Sequence, residues 1–124
     1  MTSQGTLEIK GNIHIHIPYI YTYISLSKYI CIVLEGKNLK NKDLFGKMDP
    51  YVVIRVGTES KRTSVVKNGG CNPVFNDTFT FNVIPGINQL ELETYDKDFL
   101  SDDFIGSGRL PLDEVFRLGS SNSR

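Results

Sequence analysis

From position 51 onward the chain alternates. Tyr51, Val53, Arg55 and Gly57 interleave with Val52, Ile54 and Val56. Thr78, Thr80 and Asn82 interleave with Phe79, Phe81 and Val83, and Leu90, Leu92 and Thr94 with Glu91, Glu93 and Tyr95. A period of two places every second side chain on one face, so these stretches predict strands with one buried side. Asn68-Gly69-Gly70, Asn72-Pro73, Pro85-Gly86 and Gly106 predict the breaks between strands. Only Leu112 to Leu118 has the pattern of a short helical turn. Regularly spaced strands with turn signals predict a β-sandwich. Its expected core holds Val53, Phe75, Phe79, Phe81, Leu90 and Leu92, while Asn76 and Asp77 are expected to close a turn.

Composition sharpens this expectation. The 124 residues suit a single domain. Alanine and tryptophan are absent, whereas 12 Ile, 9 Val, 8 Thr, 7 Phe and 6 Tyr are present. Such β-branched and aromatic side chains pack well on a pleated surface, which excludes a helical bundle. The 14 basic and 14 acidic residues cancel, so no bulk charge points to nucleic acid. Cys31 and Cys71 lack metal-type spacing and fit a reduced, cytoplasmic protein. Residues 1–10 have no secretory pattern. The Ile13–Leu34 stretch carries His14, His16, Pro18 and Lys28 and is too interrupted for a transmembrane span.

Six of the eight aspartates fall in two short stretches, Asn41–Asp49 and Tyr95–Asp103. Taken singly, either reads as a solvated acidic loop. Together at one end of a sandwich they bring up to six carboxylates close, and carboxylates in one place repel unless a cation joins them. Calcium suits such a site, because it takes 6–8 oxygen ligands in flexible geometry.

The ordered series Gly36-Lys37-Asn38-Leu39, Asp43-Leu44-Phe45-Gly46-Lys47-Met48-Asp49-Pro50-Tyr51-Val52, Lys61-Arg62-Thr63, Asn72-Pro73-Val74-Phe75-Asn76-Asp77, Phe79-Thr80-Phe81, Tyr95-Asp96-Lys97-Asp98 and Asp103-Phe104-Ile105-Gly106 resembles a C2 domain. The resemblance covers Leu39 to Leu112, roughly 60% of the chain. It implies an antiparallel Greek-key β-sandwich that binds phospholipid in response to calcium. Carried over by position, Asp43 and Asp49 match the first-loop ligands. Asp96, Asp98 and Asp103 match those of the third loop, with Asp102 and Ser101 as further candidates. The segment from Asp98 to Asp103 is one residue shorter than the commoner form, which leaves the choice between Asp102 and Asp103 open.

The expected mechanism follows from charge. Five aspartates without metal repel an anionic leaflet, whose surface potential is about −30 mV. Bound Ca²⁺ reverses that charge and offers open positions to phosphate oxygens. Leu44, Phe45, Phe99 and Leu100 are then the expected membrane contacts, each contributing on the order of 1–3 kcal/mol when fully buried. Family likeness also implies a headgroup-binding basic face of Arg55, Lys61, Arg62 and Lys67. The expected function is a non-enzymatic module of signalling or trafficking, recruited from the cytoplasm to anionic membranes when calcium rises. The alternative is a C2-like protein-interaction module that works without calcium. Asp96-Lys97-Asp98 resembles a phosphotransferase DxD, but the parallel α/β fold such enzymes need is denied by the composition.

Two stretches depart from that pattern. Gly11–Ile32 holds 7 of the 12 Ile, 4 of the 6 Tyr and both His, in low-complexity alternation without an acidic residue. Removing it joins Lys10 to Val33 and restores strand alternation through Leu7, Ile9 and Val33. Gly11-Asn12 and Ile32-Val33 can be encoded with splice-donor and splice-acceptor signals, so residues 11–32 read as a retained intron. The rival reading is an extra hairpin, with Gly5–Ile17 as one strand and Tyr29–Leu39 as the next. The expected domain is then 1–124, with its core match at 33–118 and a polar tail at 119–124. Only six or seven of eight strands are visible, so the sandwich is expected to be incomplete at its C-terminal end.

Overall fold

The computed structural model describes residues 5–9, 12–17, 20–25, 30–41, 46–81 and 89–111; side chains are described for 20–24, 32–41, 46–81 and 89–111. Among the described residues nine strands form two antiparallel sheets: β1 (Gly5–Ile9), β2 (Asn12–Ile17), β3 (Ile20–Ser25), β4 (Ile30–Gly36), β5 (Pro50–Val56), β6 (Glu59–Arg62), β7 (Val74–Thr80), β8 (Gln89–Asp96) and β9 (Asp103–Pro111). One sheet has the order β1-β2-β3-β4-β7 and the other β6-β5-β8-β9. The all-β sandwich expected from the alternation is therefore present. The helical turn expected at Leu112–Leu118 lies outside the described residues.

The core lies between the sheets. Val52, Ile54 and Val56 of β5 and Leu90 and Leu92 of β8 face Ile20, Ile24, Val33 and Phe75 of the other sheet, with Leu39, Met48, Phe81 and Leu110 completing it. Strict alternation along β8 buries Leu90, Leu92, Thr94 and Asp96 while their neighbours stay half-exposed. Thr63 Oγ1 accepts the Val52 N–H at 2.9 Å and donates to Ser64 C=O at 3.0 Å, so this buried hydroxyl is satisfied.

Three expectations are corrected. Val53 is half-buried on the outer face, paired with Arg62 and Glu93, because the buried face of β5 belongs to Val52, Ile54 and Val56. Asn76 and Asp77 do not close a turn. They lie inside β7, where the register slips between Val33 and Glu35 of β4 and Asn76 takes φ 52°. Gly106 does not end a strand but lies within β9 opposite Thr94, beside a bulge.

The Ile/Tyr-rich segment forms a meander. β2 and β3 stand between β1 and β4, and Ile20, Thr22 and Ile24 are buried. The single strand of the rival hairpin, Gly5–Ile17, is divided into β1 and β2, which pair with each other. β4 pairs with β7 from Ile30 to Glu35, so residues 30–32 continue the strand that carries Val33.

Candidate metal and membrane site

Two strand pairings bring the acidic stretches together. Pro50 at the start of β5 is opposite Asp96 at the end of β8, which places Asp49 beside it. The Asp49 N–H donates to Asp96 Oδ1 at 2.8 Å, and the Lys97 N–H donates to Asp49 C=O at 2.9 Å. Asp96 is 1% exposed, the last inward position of β8. On the other side of β8, Asp96 is opposite Asp103.

The bulge in β9 sets that last pairing. Gly106 is opposite Thr94 but Phe104 is opposite Tyr95, so Ile105 is the extra residue. Without it, Phe104 would stand opposite Asp96. With it, Asp103 shares the inward face with Asp96, since residues directly opposite in an antiparallel pair lie about 5 Å apart on one face. Phe104 instead joins an outward aromatic row. Tyr51 and Tyr95 stack with centroids 5.6 Å apart, and Tyr95 meets Phe104 edge-on at 5.7 Å.

Asp49 is fixed by a second donor. The Asn68 N–H reaches its Oδ1 at 2.7 Å. Asn68 adopts φ 56°, a left-handed conformation that asparagine tolerates, in the turn Val66–Gly70. The turn is tight at Gly69, whose N–H donates to Val66 C=O at 3.0 Å and where a Cβ would fall 2.8 Å from Val66 Cγ1.

Residues 97–102 form the exposed tip. Phe99 and Leu100 are 96% and 90% exposed. Asp98 and Ser101 are exposed beside them, and Asp98 Oδ1 accepts the Phe99 N–H at 2.6 Å. Asp102 is half-buried and turns back onto the sheet: it accepts the Tyr51 O–H and the Asp98 N–H at 3.1 Å, and pairs with Lys97 Nζ at 3.7 Å. The Tyr51 hydroxyl, and then the Asp98 N–H, hold the Asp102 carboxyl below the usual carboxylate range. Burial, followed by the Asp102 hydrogen bond, pushes the Tyr51 phenol up to about 12.

Of the expected ligands, the fold thus gathers Asp49, Asp96 and Asp103 at one sandwich end, with Asp98 two residues beyond. Asp43, Leu44 and Phe45 lie outside the described residues. The donors fit calcium in kind, being oxygen only. Among the described residues, however, no three of the Asp, Glu, His or Cys side chains are grouped closely enough to hold an ion.

Arg55, Lys61 and Arg62 are engaged with their neighbours. Arg55 pairs with Glu93 at 3.1 Å and donates to Ser60 Oγ at 3.2 Å. Lys61 Nζ donates to Thr80 C=O at 2.6 Å and lies over the Phe81 ring. The Arg62 guanidinium lies 5.0 Å over Tyr51, and Lys67 is exposed in the turn before Asn68. Neither the burial of Tyr51 nor its bond to Asp102 was foreseen from the sequence.

The chain belongs to the C2 domain family, whose profile matches residues 27–124. That match begins before Val33 and takes in all of β4. The 16 kDa phloem protein 2 of Arabidopsis thaliana is 34% identical over 90 residues, 72% of this chain, and the chain spans 61% of its length. The solved C2 domain-containing protein from a putative elicitor-responsive gene is 31% identical with a TM-score of 0.58, over 72% of this chain and 65% of that one. The two calcium-bound C2 domains of extended synaptotagmin 2 give 32% identity and a TM-score of 0.61, over 73% of this chain and 37% of theirs. No helix among the described residues is long and apolar enough to cross a membrane.

Proposed function

We propose that this chain is a non-enzymatic module that binds anionic phospholipid membranes in response to calcium, through Asp43, Asp49, Asp96, Asp98 and Asp103. The observation that carries the reading is the meeting of three chain segments at one end: Asp49 hydrogen-bonded to Asp96, Asp96 opposite Asp103, and Phe99 and Leu100 bare at the adjoining tip. The calcium-bound C2 domains of extended synaptotagmin 2 support it by family likeness.

A bound calcium ion supplies positive charge and coordination positions for phosphate oxygens. The chain's own residues supply the rest. The Asn68 and Lys97 N–H groups hold Asp49 through its carboxylate and carbonyl. Phe99 and Leu100 supply the apolar contact, each contributing about 1.5–3 kcal/mol when withdrawn fully from water. In the metal-free state the same aspartates repel an anionic leaflet, so attachment depends on calcium. The headgroup role proposed for Arg55, Lys61, Arg62 and Lys67 rests on family likeness; it requires Arg55 to leave Glu93. We place the protein in the cytoplasm, recruited to membranes as a signalling or trafficking module.

The test is sedimentation with phosphatidylserine liposomes in calcium and in EDTA. Wild type is expected to sediment in calcium only, and Asp49→Asn or Asp98→Asn to remain in solution with an unchanged fold. Sedimentation of both variants like wild type contradicts the ligand assignment. A calcium-independent protein-interaction module is the second reading. It is favoured by the engagement of the Asp49 and Asp96 carboxylates with main-chain N–H groups of the protein itself.

A further inference from the structure

We propose that Tyr51 and Asp102 form a latch that fixes the acidic tip, so that Asp102 is a positioning residue for Asp98 and Asp103 and not a metal donor. The inference rests on the calcium reading above and decides between the two neighbouring aspartates that the sequence leaves open.

The loop 97–102 is pinned at both ends to the segment that carries Asp49. At its start the Lys97 N–H donates to Asp49 C=O at 2.9 Å. At its end Asp102 Oδ2 accepts the Tyr51 O–H. The second oxygen of Asp102 accepts the Asp98 N–H at 3.1 Å and faces Lys97 Nζ at 3.7 Å. Both oxygens are therefore committed to groups of the protein itself, and leaving for a metal would strand the hydroxyl of the buried Tyr51. Asp103 has the complementary placement, brought opposite Asp96 by the bulge at Ile105.

The latch works because Tyr51 cannot follow the loop. It is 6% exposed, its ring stacks on Tyr95 at 5.6 Å, and the Arg62 guanidinium covers it at 5.0 Å. It sits two residues after Asp49, so one short segment holds the first acidic stretch and grips the second. The turn closed by the Asp98 N–H to Asp102 bond projects Phe99, Leu100 and Ser101 outward. The same bond thus orients the Asp98 carboxylate and the apolar tip.

The experiment is isothermal titration of the intact chain with CaCl₂, for wild type, Tyr51→Phe, Asp102→Asn, the double variant and Asp98→Asn. Tyr51→Phe keeps the aromatic stack and removes only the hydroxyl. Tyr51→Phe removes the bond outright, and Asp102→Asn leaves one neutral amide oxygen where two charged oxygens accept from Tyr51 and Asp98, so each single variant is expected to bind calcium about 10-fold more weakly. The double variant should be no worse than the weaker single one, since both remove one interaction. Asp98→Asn, a donor loss, should cost far more. Asp102→Asn losing as much as Asp98→Asn while Tyr51→Phe binds like wild type makes Asp102 a donor and overturns the latch. If wild type itself takes up no calcium, the functional reading fails, and the latch is judged in EDTA by exchange of the Asp98 amide hydrogen. About 10-fold faster exchange in Tyr51→Phe than in wild type supports the latch, and equal exchange refutes it.

Discussion

The main-chain N–H of Asp49 donates to Asp96 Oδ1 at 2.8 Å and joins two acidic stretches that lie 47 residues apart in sequence. Asp96 is thereby both a fold residue and a proposed ligand. Asp96→Asn keeps a carbonyl oxygen for that bond and should change stability by less than about 1 kcal/mol while losing calcium binding. Asp96→Ala leaves the Asp49 N–H without its acceptor and should cost about 1–3 kcal/mol. Urea melts in EDTA alongside calcium titrations check the split. Equal stability of the two variants would show that this bond contributes nothing.

Phe99 and Leu100 touch water almost completely, so they contribute little to folding. Phe99→Ala with Leu100→Ala should leave the melting midpoint within about 0.5 kcal/mol of wild type. The same pair should weaken liposome attachment by about 10-fold or more, leaving calcium affinity unchanged. Calorimetry and liposome sedimentation on one preparation separate the two effects. Loss of calcium affinity in parallel would contradict a purely membrane-facing role.

The pH dependence follows from the Tyr51–Asp102 bond. The Tyr51 phenol rises from 10.0 to about 12, first through burial and then through Asp102. A raised acid binds its proton more tightly when folded, so this stability is fully present below about pH 10 and is lost as pH climbs toward 12. The Asp102 carboxyl is lowered by the Tyr51 hydroxyl, so its contribution is present above about pH 4 and is lost in acid as pH falls through its folded value. Urea midpoints across pH 8–11.5 should fall in wild type and fall less in Tyr51→Phe. Tyr95, raised by burial, adds to the decline in both.

The proposal that residues 11–32 derive from a retained intron has a register that can be checked. Joining Lys10 to Val33 puts Lys10 opposite Thr78, Ile9 opposite Phe79 and Glu8 opposite Thr80, the places that Ile32, Cys31 and Ile30 hold in β4. The chain lacking 11–32 is expected to melt cooperatively, and the protein from its native source to have the mass of the shorter chain. A native mass that includes residues 11–32 would make β2 and β3, with buried Ile20, Thr22 and Ile24, part of the working protein.

The strands were legible where alternation was strict. Val52, Ile54 and Val56 of β5 and Leu90 and Leu92 of β8 are buried as their period requires. Val53 and Asn76 were misjudged for one reason: apolarity and turn propensity are local, whereas pairing with Arg62 and the slip between β4 and β7 are set by neighbouring strands. The family series named the candidate aspartates, yet the pairing of Asp103 with Asp96 needs the bulge at Ile105, which no residue type announces. The Tyr51–Asp102 bond was hidden similarly, because 51 residues separate its partners.

Thermal melting of the 124-residue chain in EDTA and in millimolar calcium tests the central claim most directly. A ligand at 100 times its dissociation constant adds about 2.7 kcal/mol to the folded state that binds it. The expected result is one cooperative transition that moves several degrees upward with calcium, and much less in Asp49→Asn. A cooperative transition at the same temperature in both solutions would contradict calcium binding by this chain.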